Sequence, residues 1–548
     1  MSFLLIRNHM SFKLNFARAL FLIVFTLFFL ASCTVGSYLL RNDSKLSPIS
    51  FGLLNAKDGV ERYQILLKTH QEAISAGVSV DYSGIDTIKI EIPSNPTRIP
   101  LAQYNDFNNC VFVIKNTSKD TWLFSIKSEE TPIVIENSLI DNGDFRTVAL
   151  LKSGKFLLFI EDTNLWVLRR AGYSYGHPRK DILLIEDGMA RNSVTMPYNN
   201  GYSNAKCSYV RLSGKPLIIK NLTIKRDPEC TYLTHIADIY GFDDVNISNV
   251  NIYTPPSTLF EDRGIRIYNC TNIKLKDVII DGTYSLLDNS GYGINLDNVW
   301  NFNAVRLYGK GNWGVFGNNN VNTAHIKNSK INRFDVHCYG KDMFFDNVNF
   351  FDCYNQFASV YGTIQYKNCT FTNFVPVLNG SSYNAYVAHD VILNNCIFNI
   401  TPKKNRVCEL GKWNDVKNER YELSEKCWPN LKIKNLTVNM IEGAENFYLY
   451  TSMRVKGSEG APINYLSRIE IDGLKIVADS NRSIKDVCIF DQQIKTANPI
   501  EYKLNNIEAW QYNSRIKRNT RNSILFQLRP SVALKENMGV IKNFYSTR

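Results

Sequence analysis

The chain has 12 cysteines among its 548 residues, but it lacks a Cys-x-x-Cys motif and any spacing typical of a zinc site. Cys270, Cys369 and Cys396 fall on apolar positions of predicted strands, where a thiol acts as a small buried hydrophobic group. After residue 40 the chain also lacks an uncharged apolar run of about 20 residues, the length that spans a bilayer. These absences argue against a zinc-binding domain and against a second membrane span.

The first 40 residues have a composition unlike the rest of the chain. Arg7, Lys13 and Arg18 give a basic start, and no charged residue occurs from 19 to 40. The uncharged stretch contains a short apolar core and then small residues before a cysteine. These features are typical of a secretory signal peptide.

The tetrapeptide Leu30-Ala31-Ser32-Cys33 resembles a bacterial lipobox. The resemblance implies that residues 1–32 are removed as a lipoprotein signal peptide, that Cys33 carries the lipid, and that 33–57 form a linker. A plain N-terminal transmembrane anchor is the alternative. In both cases we expect the body to be exported and held at the cell envelope of a Gram-negative bacterium, on the periplasmic side or at the outer membrane.

Basic residues outnumber acidic ones, with 63 Lys and Arg against 51 Asp and Glu. The formal net charge is +12, and loss of the three basic residues before Cys33 leaves about +9 on the mature chain. A surplus of this sign favours polyanionic partners such as acidic polysaccharides or anionic lipid headgroups. Since export makes nucleic acid the least suitable polyanion, we expect an anionic polysaccharide partner and no nucleic acid.

A short phrase of the form apolar-x-Asn-apolar-x-apolar recurs along the chain. Its Asn position is occupied by Asn221, Asn249, Asp277, Asn328, Asn347, Asn368, Asn395 and Asn435. A degenerate copy, Phe302 to Leu307, has Ala304 at this position. Successive copies are 28, 28, 27, 24, 19, 21, 27 and 40 residues apart. Repeats of this period indicate a solenoid.

Each copy alternates with a period of two, which indicates a strand rather than a helix. A second strand signal lies between copies, for example at 264–267 and 293–296. Two strand signals per period favour a β-helix over a leucine-rich horseshoe, and the lack of a recurring helix argues against other α-containing solenoids. Asn suits a tight turn because it tolerates left-handed backbone. We therefore predict stacked coils whose Asn side chains form a ladder.

The coils from about 215 to 509 resemble the pectate-lyase-like superfamily. The resemblance implies an all-β fold, a right-handed parallel β-helix, which we assign to 215–510. Before it, 58–214 are expected to form an N-terminal cap and early irregular β-rich coils, with a capping helix over Asp58–Gly77. After it, 511–548 are expected to form a C-terminal cap or tail.

The polar, charged stretch at 401–430 interrupts the repeat. A segment of this length without secondary structure is usually functional or disordered in a compact fold. We predict a loop insertion that forms a wall beside the groove of the β-helix. Cys408 and Cys427 bracket part of it and can form a disulfide in an oxidising compartment.

The segment 333–339 offers the best candidate site. Strand alternation directs Phe334, Val336 and Cys338 to the core. Asp335, His337 and Tyr339 are predicted to project outwards, with Arg333 just before them. Residues predicted to share this outer face in other coils are Arg266, Asn295, Phe316, Gln356 and Tyr386. Coils about 4.8 Å apart would combine these side chains into one sugar-binding groove.

The chain shows no paired-aspartate motif of the polygalacturonase kind and no acidic cluster like the calcium site of pectate lyases. A lyase acting on a uronic acid needs a base and a group that neutralises the carboxylate. We expect His337 or Tyr339 to be the base and Arg333 to neutralise, with Arg266 or Asn295 as alternatives. A polysaccharide lyase that cleaves an anionic polymer by β-elimination is the leading hypothesis.

Two other functions stay open. A glycoside hydrolase would use two carboxyl groups about 5–10 Å apart, and Asp335 with Glu261 or Asp262 is the nearest pair. A non-catalytic carbohydrate-binding or envelope scaffold would need neither. No cofactor and no metal ligand set are evident, although calcium stays open, and we expect a monomer.

Overall fold

The computed structural model describes residues 45–168, 176–194, 205–232, 234–254, 264–282, 292–311, 314–337, 339–357, 360–379, 390–410, 430–441, 443–452, 468–478, 486–492, 500–510, 526–528 and 534–547. The predicted signal peptide, Cys33 and Tyr386 lie outside these ranges, as do Glu261 and Asp262. No helix within these ranges is both long enough and apolar enough to span a bilayer.

A helix lies near the start of the described part of the fold. The first elements are β1 (Lys45–Leu46), a 3-10 turn (Leu53–Asn55), α1 (Gly59–Ala76) and β2 (Ser79–Val80). Asp58 caps α1 by accepting a hydrogen bond from the Glu61 amide, and Gly77 ends it with a left-handed φ of 69°. Tyr63 and Leu66 bury their side chains in the same core as the coils. The structure confirms the predicted capping helix.

The first coils precede the predicted start of the repeat. They contain β3 (Thr87–Glu91), β4 (Ile99–Pro100), β5 (Tyr104–Lys115) and β6 (Thr121–Lys127). β3 pairs in parallel with β5, and β4 pairs in parallel with β6. The early coils therefore already have the parallel stacking of the main body.

An antiparallel insertion follows these coils. It contains β7 (Glu130–Ile133), α2 (Asn137–Asn142), β8 (Lys155–Leu168), β9 (Gly176–Glu186), β10 (Met189–Ala190) and β11 (Ala205–Arg211). The strand order is β10-β9-β8-β11-β7. One face of this sheet packs on the β-helix through Leu157 and Phe159, which share a cluster with Tyr240, Tyr268 and Trp300.

The remaining strands form the main body. They are β12 (Leu217–Arg226), β13 (Thr234–Tyr240), β14 (Val245–Thr254), β15 (Ile265–Gly282), β16 (Tyr292–Lys310), β17 (Gly314–Ile331), β18 (Phe334–Val336), β19 (Gly340–Phe351), β20 (Tyr354–Gln356), β21 (Val360–Lys367), β22 (Thr370–Thr372), β23 (Val375–Asn379), β24 (Asp390–Ile400), β25 (Arg406–Leu410), β26 (Asn430–Met440), β27 (Asn446–Ser452), β28 (Arg468–Ala478), β29 (Asp486–Gln492), β30 (Ile500–Trp510), β31 (Phe526–Leu528) and β32 (Leu534–Thr547).

The pairings between these strands are parallel and join each coil to its neighbours, as in β14–β15, β15–β16 and β16–β17. Parallel crossover connections are right-handed in nearly all proteins. The chain is thus an all-β, right-handed parallel β-helix, as the repeat predicted. β32 continues the same sheet, since it pairs in parallel with β30.

The Asn ladder is present at the predicted position of the coil. Asn221, Asn249, Asn328 and Asn347 have left-handed backbone with φ between 50° and 60°. Asn249 donates to the Asn221 side chain at 2.9 Å, and Asn347 donates to Asn328 at 2.8 Å. Each amide therefore links one coil to the previous one.

The degenerate copy of the phrase was assigned to the wrong residue. Arg306, rather than Ala304, has the left-handed backbone, with φ of 54°. Its guanidinium donates two hydrogen bonds to Asp277 of the previous coil. Ala304 pairs with Leu275 and is buried in the core.

The stretch predicted to be a loop from 401 to 430 contains the strand β25 (Arg406–Leu410). β25 pairs in parallel with β23, and Val407 and Cys408 are buried. Cys408 is a free thiol among the described residues, whereas Cys427 lies outside them. The chain therefore completes another coil before the part at 411–429, which is not described.

His70 lies on the inner side of α1, within the core of the capped end. Its Nε2 is 2.8 Å from the Tyr82 hydroxyl oxygen. Its ring centroid is 6.5 Å from that of Phe107 and 6.3 Å from that of Phe124. Burial lowers the pKa of His70 from 6.5 to about 4. The folded chain therefore holds this imidazole neutral at pH 7.

Acid should destabilise the fold through His70. The unfolded chain binds the proton with a pKa near 6.5 and the folded chain only near 4, so stability should fall by up to about 3 kcal/mol as the pH drops through this window. His70→Gln should flatten the unfolding free energy against pH, measured by chemical denaturation. Tyr82→Phe keeps His70 buried and should keep the slope. An unchanged slope in His70→Gln would exclude this origin.

Candidate functional site

The candidate site lies where β16, β17 and β18 stack. Ile294, Phe316 and Phe334 are register partners in these strands and point into the core. The residues that follow them form the next column on the outer face, which contains Asn295, Gly317 and Asp335. The stacking therefore joins segments of the chain that are about 40 residues apart.

Phe316 was predicted to face this column, and the structure corrects that assignment. Its side chain is buried, and its ring centroid is 5.0 Å from that of Phe334. The outward position of this coil is Gly317 instead. A shift of one residue along a strand moves a side chain to the opposite face, which accounts for the error.

Gly317 provides the space for Tyr292, which the sequence did not single out. A Cβ atom at Gly317 would lie 2.3 Å from Cδ2 of Tyr292, so the ring rests directly on the glycine backbone. The Tyr292 hydroxyl thereby reaches past the coil of Gly317 to the coil that carries Asp335 and His337. It donates to Asp335 Oδ2 at 3.0 Å and is 3.1 Å from His337 Nε2. A glycine in an outward column was the one sequence signal for this arrangement.

Asp335 is the centre of the cluster, and its side chain is fully buried. Its Oδ2 is 2.5 Å from an Arg333 nitrogen and 3.4 Å from His337 Nε2, and its Oδ1 accepts from the Gln356 amide at 2.9 Å. Burial alone would raise the pKa of Asp335, but the charge of the Arg333 guanidinium and the hydrogen bond with the His337 imidazole lower it below the ordinary value. The carboxylate therefore stays ionised at neutral pH.

Arg333 was predicted to neutralise a substrate carboxylate, but only 1% of its side chain is exposed. It lies against Gly314, where a Cβ atom would be 2.4 Å from Arg333 Cδ, and beneath Tyr354, whose ring centroid is 4.3 Å from the guanidinium carbon. It donates to Gln356 Oε1 at 3.2 Å. Arg333, Asp335 and Gln356 point away from the core of the β-helix, but neighbouring side chains cover them. Arg333, Asp335 and Gln356 are therefore internal supports rather than substrate contacts.

Tyr339 is also corrected as a catalytic candidate. Its side chain is buried, and its hydroxyl donates to the Pro178 carbonyl oxygen at 2.7 Å. Pro178 belongs to β9 of the antiparallel insertion. Tyr339 therefore links the insertion to the β-helix.

Arg266 shares the outward column, since it pairs with Asn295. It belongs to an ionic cluster in which the buried Asp238 lies 2.9 Å from Arg266, 2.7 Å from Arg98 and 3.2 Å from Lys127. Asn295 donates to the Gly317 carbonyl oxygen at 2.9 Å. Both side chains are half-buried and are used in holding the coils together.

Like Tyr292, His337 is half-buried, with 20% of its side chain exposed. Its ring meets that of Tyr292 edge to face, with centroids 5.8 Å apart. The buried carboxylate accepts a hydrogen bond from the Tyr292 hydroxyl, so the phenol oxygen can accept a hydrogen bond from His337 Nε2. After rotation of its O–H bond, the phenol can instead donate to Nε2. Phenol, imidazole and carboxylate are thus arranged for proton transfer at the surface.

No group of three or more His, Cys, Asp or Glu side chains in the described ranges is placed to hold a metal ion. The sequence left calcium binding open, and it stays untested. The carboxyl pair of the hydrolase hypothesis also stays untested, since Glu261 and Asp262 are not described.

Comparison with known proteins gives neither a matching family model nor a matching curated protein. The chain is similar in fold to the tailspike of Acinetobacter baumannii bacteriophage AP22, solved with A. baumannii capsular saccharide, at 12% identity and a TM-score of 0.46 over 92% of this chain and 77% of that one.

Two further solved structures have the same kind of likeness. A tailspike of Pseudomonas phage phi297 gives 11% identity and a TM-score of 0.43, over 86% of this chain and 80% of that one. A family 28 exopolygalacturonase of Yersinia enterocolitica gives 11% and 0.34, over 82% and 78%. Values of this size support no inference about activity.

Breaking the buried ion pair should destabilise the chain. Asp335→Asn would leave the Arg333 charge buried without its partner, at a cost of about 3–5 kcal/mol. The measurement is the unfolding free energy from denaturant titration. Asp277→Asn is the matched control, since it removes a surface partner of Arg306 and keeps a residue suited to left-handed backbone. Equal, small effects of both variants would show that Asp335→Asn does not leave an unpaired Arg333 charge in the interior.

Proposed function

We propose that the chain is a polysaccharide lyase, and that Tyr292 and His337 transfer the proton in β-elimination of an acidic polysaccharide. The observation that carries the proposal is the position of the Tyr292 hydroxyl, 3.0 Å from an ionised buried carboxylate and 3.1 Å from the imidazole of His337. Two proton-transferring side chains of different acidity thus meet at the outer surface of the coils.

The proposed reaction starts with a neutral His337. The Tyr292 phenol gives its proton to Nε2, and the resulting imidazolium is stabilised by Asp335 at 3.4 Å. The phenolate then takes the proton from the sugar carbon next to the carboxylate. The electron pair of that C–H bond forms a C=C bond while the bond to the glycosidic oxygen breaks. The imidazolium proton finally passes to the leaving oxygen, so that no proton is gained or lost overall.

The supporting residues give this pair its geometry. Arg333 keeps Asp335 ionised, so this carboxylate acts as a fixed anion rather than as an acid. Gly317 supports the Tyr292 ring. A solenoid face is also suited to a polymer, because outward positions repeat about every 4.8 Å along it. The surplus of basic residues, about +9 on the mature chain, favours an acidic polymer.

Removing either proton-transferring group should abolish most turnover. Tyr292→Phe and His337→Gln should each lower the rate by about a hundredfold or more, the usual contribution of general acid–base catalysis. The measurement is the absorbance of unsaturated product ends on a panel of uronic-acid polymers. Tyr308→Phe, on another face of the coils, is the control and should be fully active. New reducing ends without that absorbance would indicate hydrolysis, and binding without products would indicate a scaffold.

Gly317→Ala tests the same site without removing a reactive group. Its φ is not left-handed, but the added Cβ would displace the Tyr292 ring, so product formation should fall to the level of Tyr292→Phe. Gly214→Ala is the control, because no atom lies within 4 Å of the added Cβ. Full activity of Gly317→Ala would remove Tyr292 from the proposed mechanism.

We also propose that a lipid on Cys33 holds the chain, as a monomer, at the envelope of a Gram-negative cell, periplasmic or outer-membrane. The lipobox-like sequence before Cys33 supports this. Cys33→Ser should move the protein from the membrane fraction to the soluble fraction. If this variant still sediments with membranes, the lipid anchor is excluded and the transmembrane alternative is favoured.

A further inference from the structure

Lys404 lies beside the candidate site in an unusual environment for a lysine. It sits in the turn between β24 and β25, where its amide donates to Thr401. Its ammonium nitrogen is 4.8 Å from the centroid of the Tyr354 ring. The side chain is half-buried, so Lys404 is held on the aromatic surface and does not extend freely into solvent.

The charge of Lys404 has no acidic partner among the described residues. The carboxylate that acts on it through its charge is that of Glu409, which is paired with Arg406 at 3.0 Å. Arg333, on the same Tyr354 ring, adds a second positive charge. Burial is the main cause that lowers the pKa of Lys404, and repulsion by Arg333 adds to it, while Cys353 and Glu409 oppose the shift. A bound anion would relieve both effects.

The register puts this lysine on the face of the proposed reaction. Val336 bridges to Phe357, so Gln356 lies beside Asp335 and Tyr354 beside Arg333. Tyr354 pairs in turn with Val375 of the next coil, and Val377 of that coil pairs with Cys408. The backbone of Lys404 therefore lies about two coils from Tyr354, and its side chain extends back to place the ammonium over the Tyr354 ring. Since Tyr354 belongs to the coil after the one with His337, the ammonium lies about one or two coils, or about 5–10 Å, from the reacting pair, which is on the scale of one or two sugar units.

We propose that Lys404, supported by Tyr354, binds the acidic group of a sugar unit adjacent to the one at Tyr292 and His337. The location next to a reacting sugar rests on the proposed function. The chemistry of the occupant is an anionic oxygen group, either a carboxylate or a sulfate, because an ammonium forms charge-assisted hydrogen bonds with both. Partial removal of Lys404 from water strengthens such a contact. The buried Arg333 is covered and is left as a support for Asp335.

The test compares Lys404→Met with Lys403→Met, its exposed neighbour, in the full chain. Binding is measured to polygalacturonate, which carries carboxylates, to dextran sulfate, which carries sulfates, and to neutral dextran. Lys404→Met should weaken binding to one or both acidic polymers by about tenfold or more, the effect of one lost charge-assisted contact. Lys403→Met should change it little. Lys404→Arg, which keeps the charge, should recover most of the loss.

The pattern of loss identifies the group that Lys404 binds. A loss for polygalacturonate alone assigns a carboxylate, and a loss for dextran sulfate alone assigns a sulfate. If Lys404→Met and Lys403→Met bind both acidic polymers equally well, the subsite is overturned. The same holds if binding to neutral dextran falls by the same factor, since this would indicate a general distortion of the face.

The test of the Lys404 subsite can fail or succeed independently of the test of the proposed reaction. If the unmodified chain forms no unsaturated product but its binding depends on Lys404, β-elimination fails and the acidic subsite stands. If product forms and Lys404→Met has the KM and kcat of Lys403→Met, the reaction stands and the subsite fails. The thermal unfolding midpoint of Lys404→Met, compared with that of Lys403→Met, separates loss of charge from loss of fold.

Discussion

The structure depends on a backbone constraint that recurs in the described coils from β12 to β26. At one position the chain adopts left-handed φ, between 50° and 60° at Asn221, Asn328 and their equivalents. Asn tolerates this conformation and also offers its amide to the coil below. Because the bend falls at the same place each time, the strands after it begin in register. The contacts of Tyr292 with Asp335 and His337 follow from that register, since Tyr292 comes from a different coil.

The carboxylate of Asp335 lies in a low-dielectric environment, and the charge of Arg333 keeps it ionised. A buried ion pair of this kind contributes little net stability compared with well-packed apolar residues. Its retention therefore fits a role in orientation. The fixed anion holds Tyr292 and His337 at hydrogen-bonding distance, and covered residues thus determine the arrangement of the accessible ones.

The fold was predictable because the repeat combines two local signals, strand alternation and a turn residue, at one period. The failures have equally local causes. Arg306 takes the left-handed position by pairing with Asp277, and no turn propensity marks an arginine for that place. Phe316 was assigned to the wrong face because alternation fixes a face only when the register is known to the residue.

The candidate site was predictable only in part. His337 followed from alternation along one strand, whereas Tyr292 depends on contacts across three coils. Burial of Arg333 and Tyr339 could not be read from alternation either, because pointing away from the core does not mean facing solvent. Their covers come from Tyr354 in another coil and from Pro178 in the insertion. Such long-range coverage leaves no periodic trace in the sequence.

Gly317 shows how the absence of one side chain lets this architecture bring distant side chains together. An ordinary rung would carry a side chain here, and its neighbours would stay apart. The missing side chain leaves a gap over Gly317. The Tyr292 ring from the rung before fills this gap, and its hydroxyl reaches Asp335 in the rung after. Since the contacts of Tyr292 with Gly317, Asp335 and His337 lie within three rungs, lengthening the solenoid at either end would leave them unchanged. Inserting a rung among these three would separate the partners by about 4.8 Å and break the contacts.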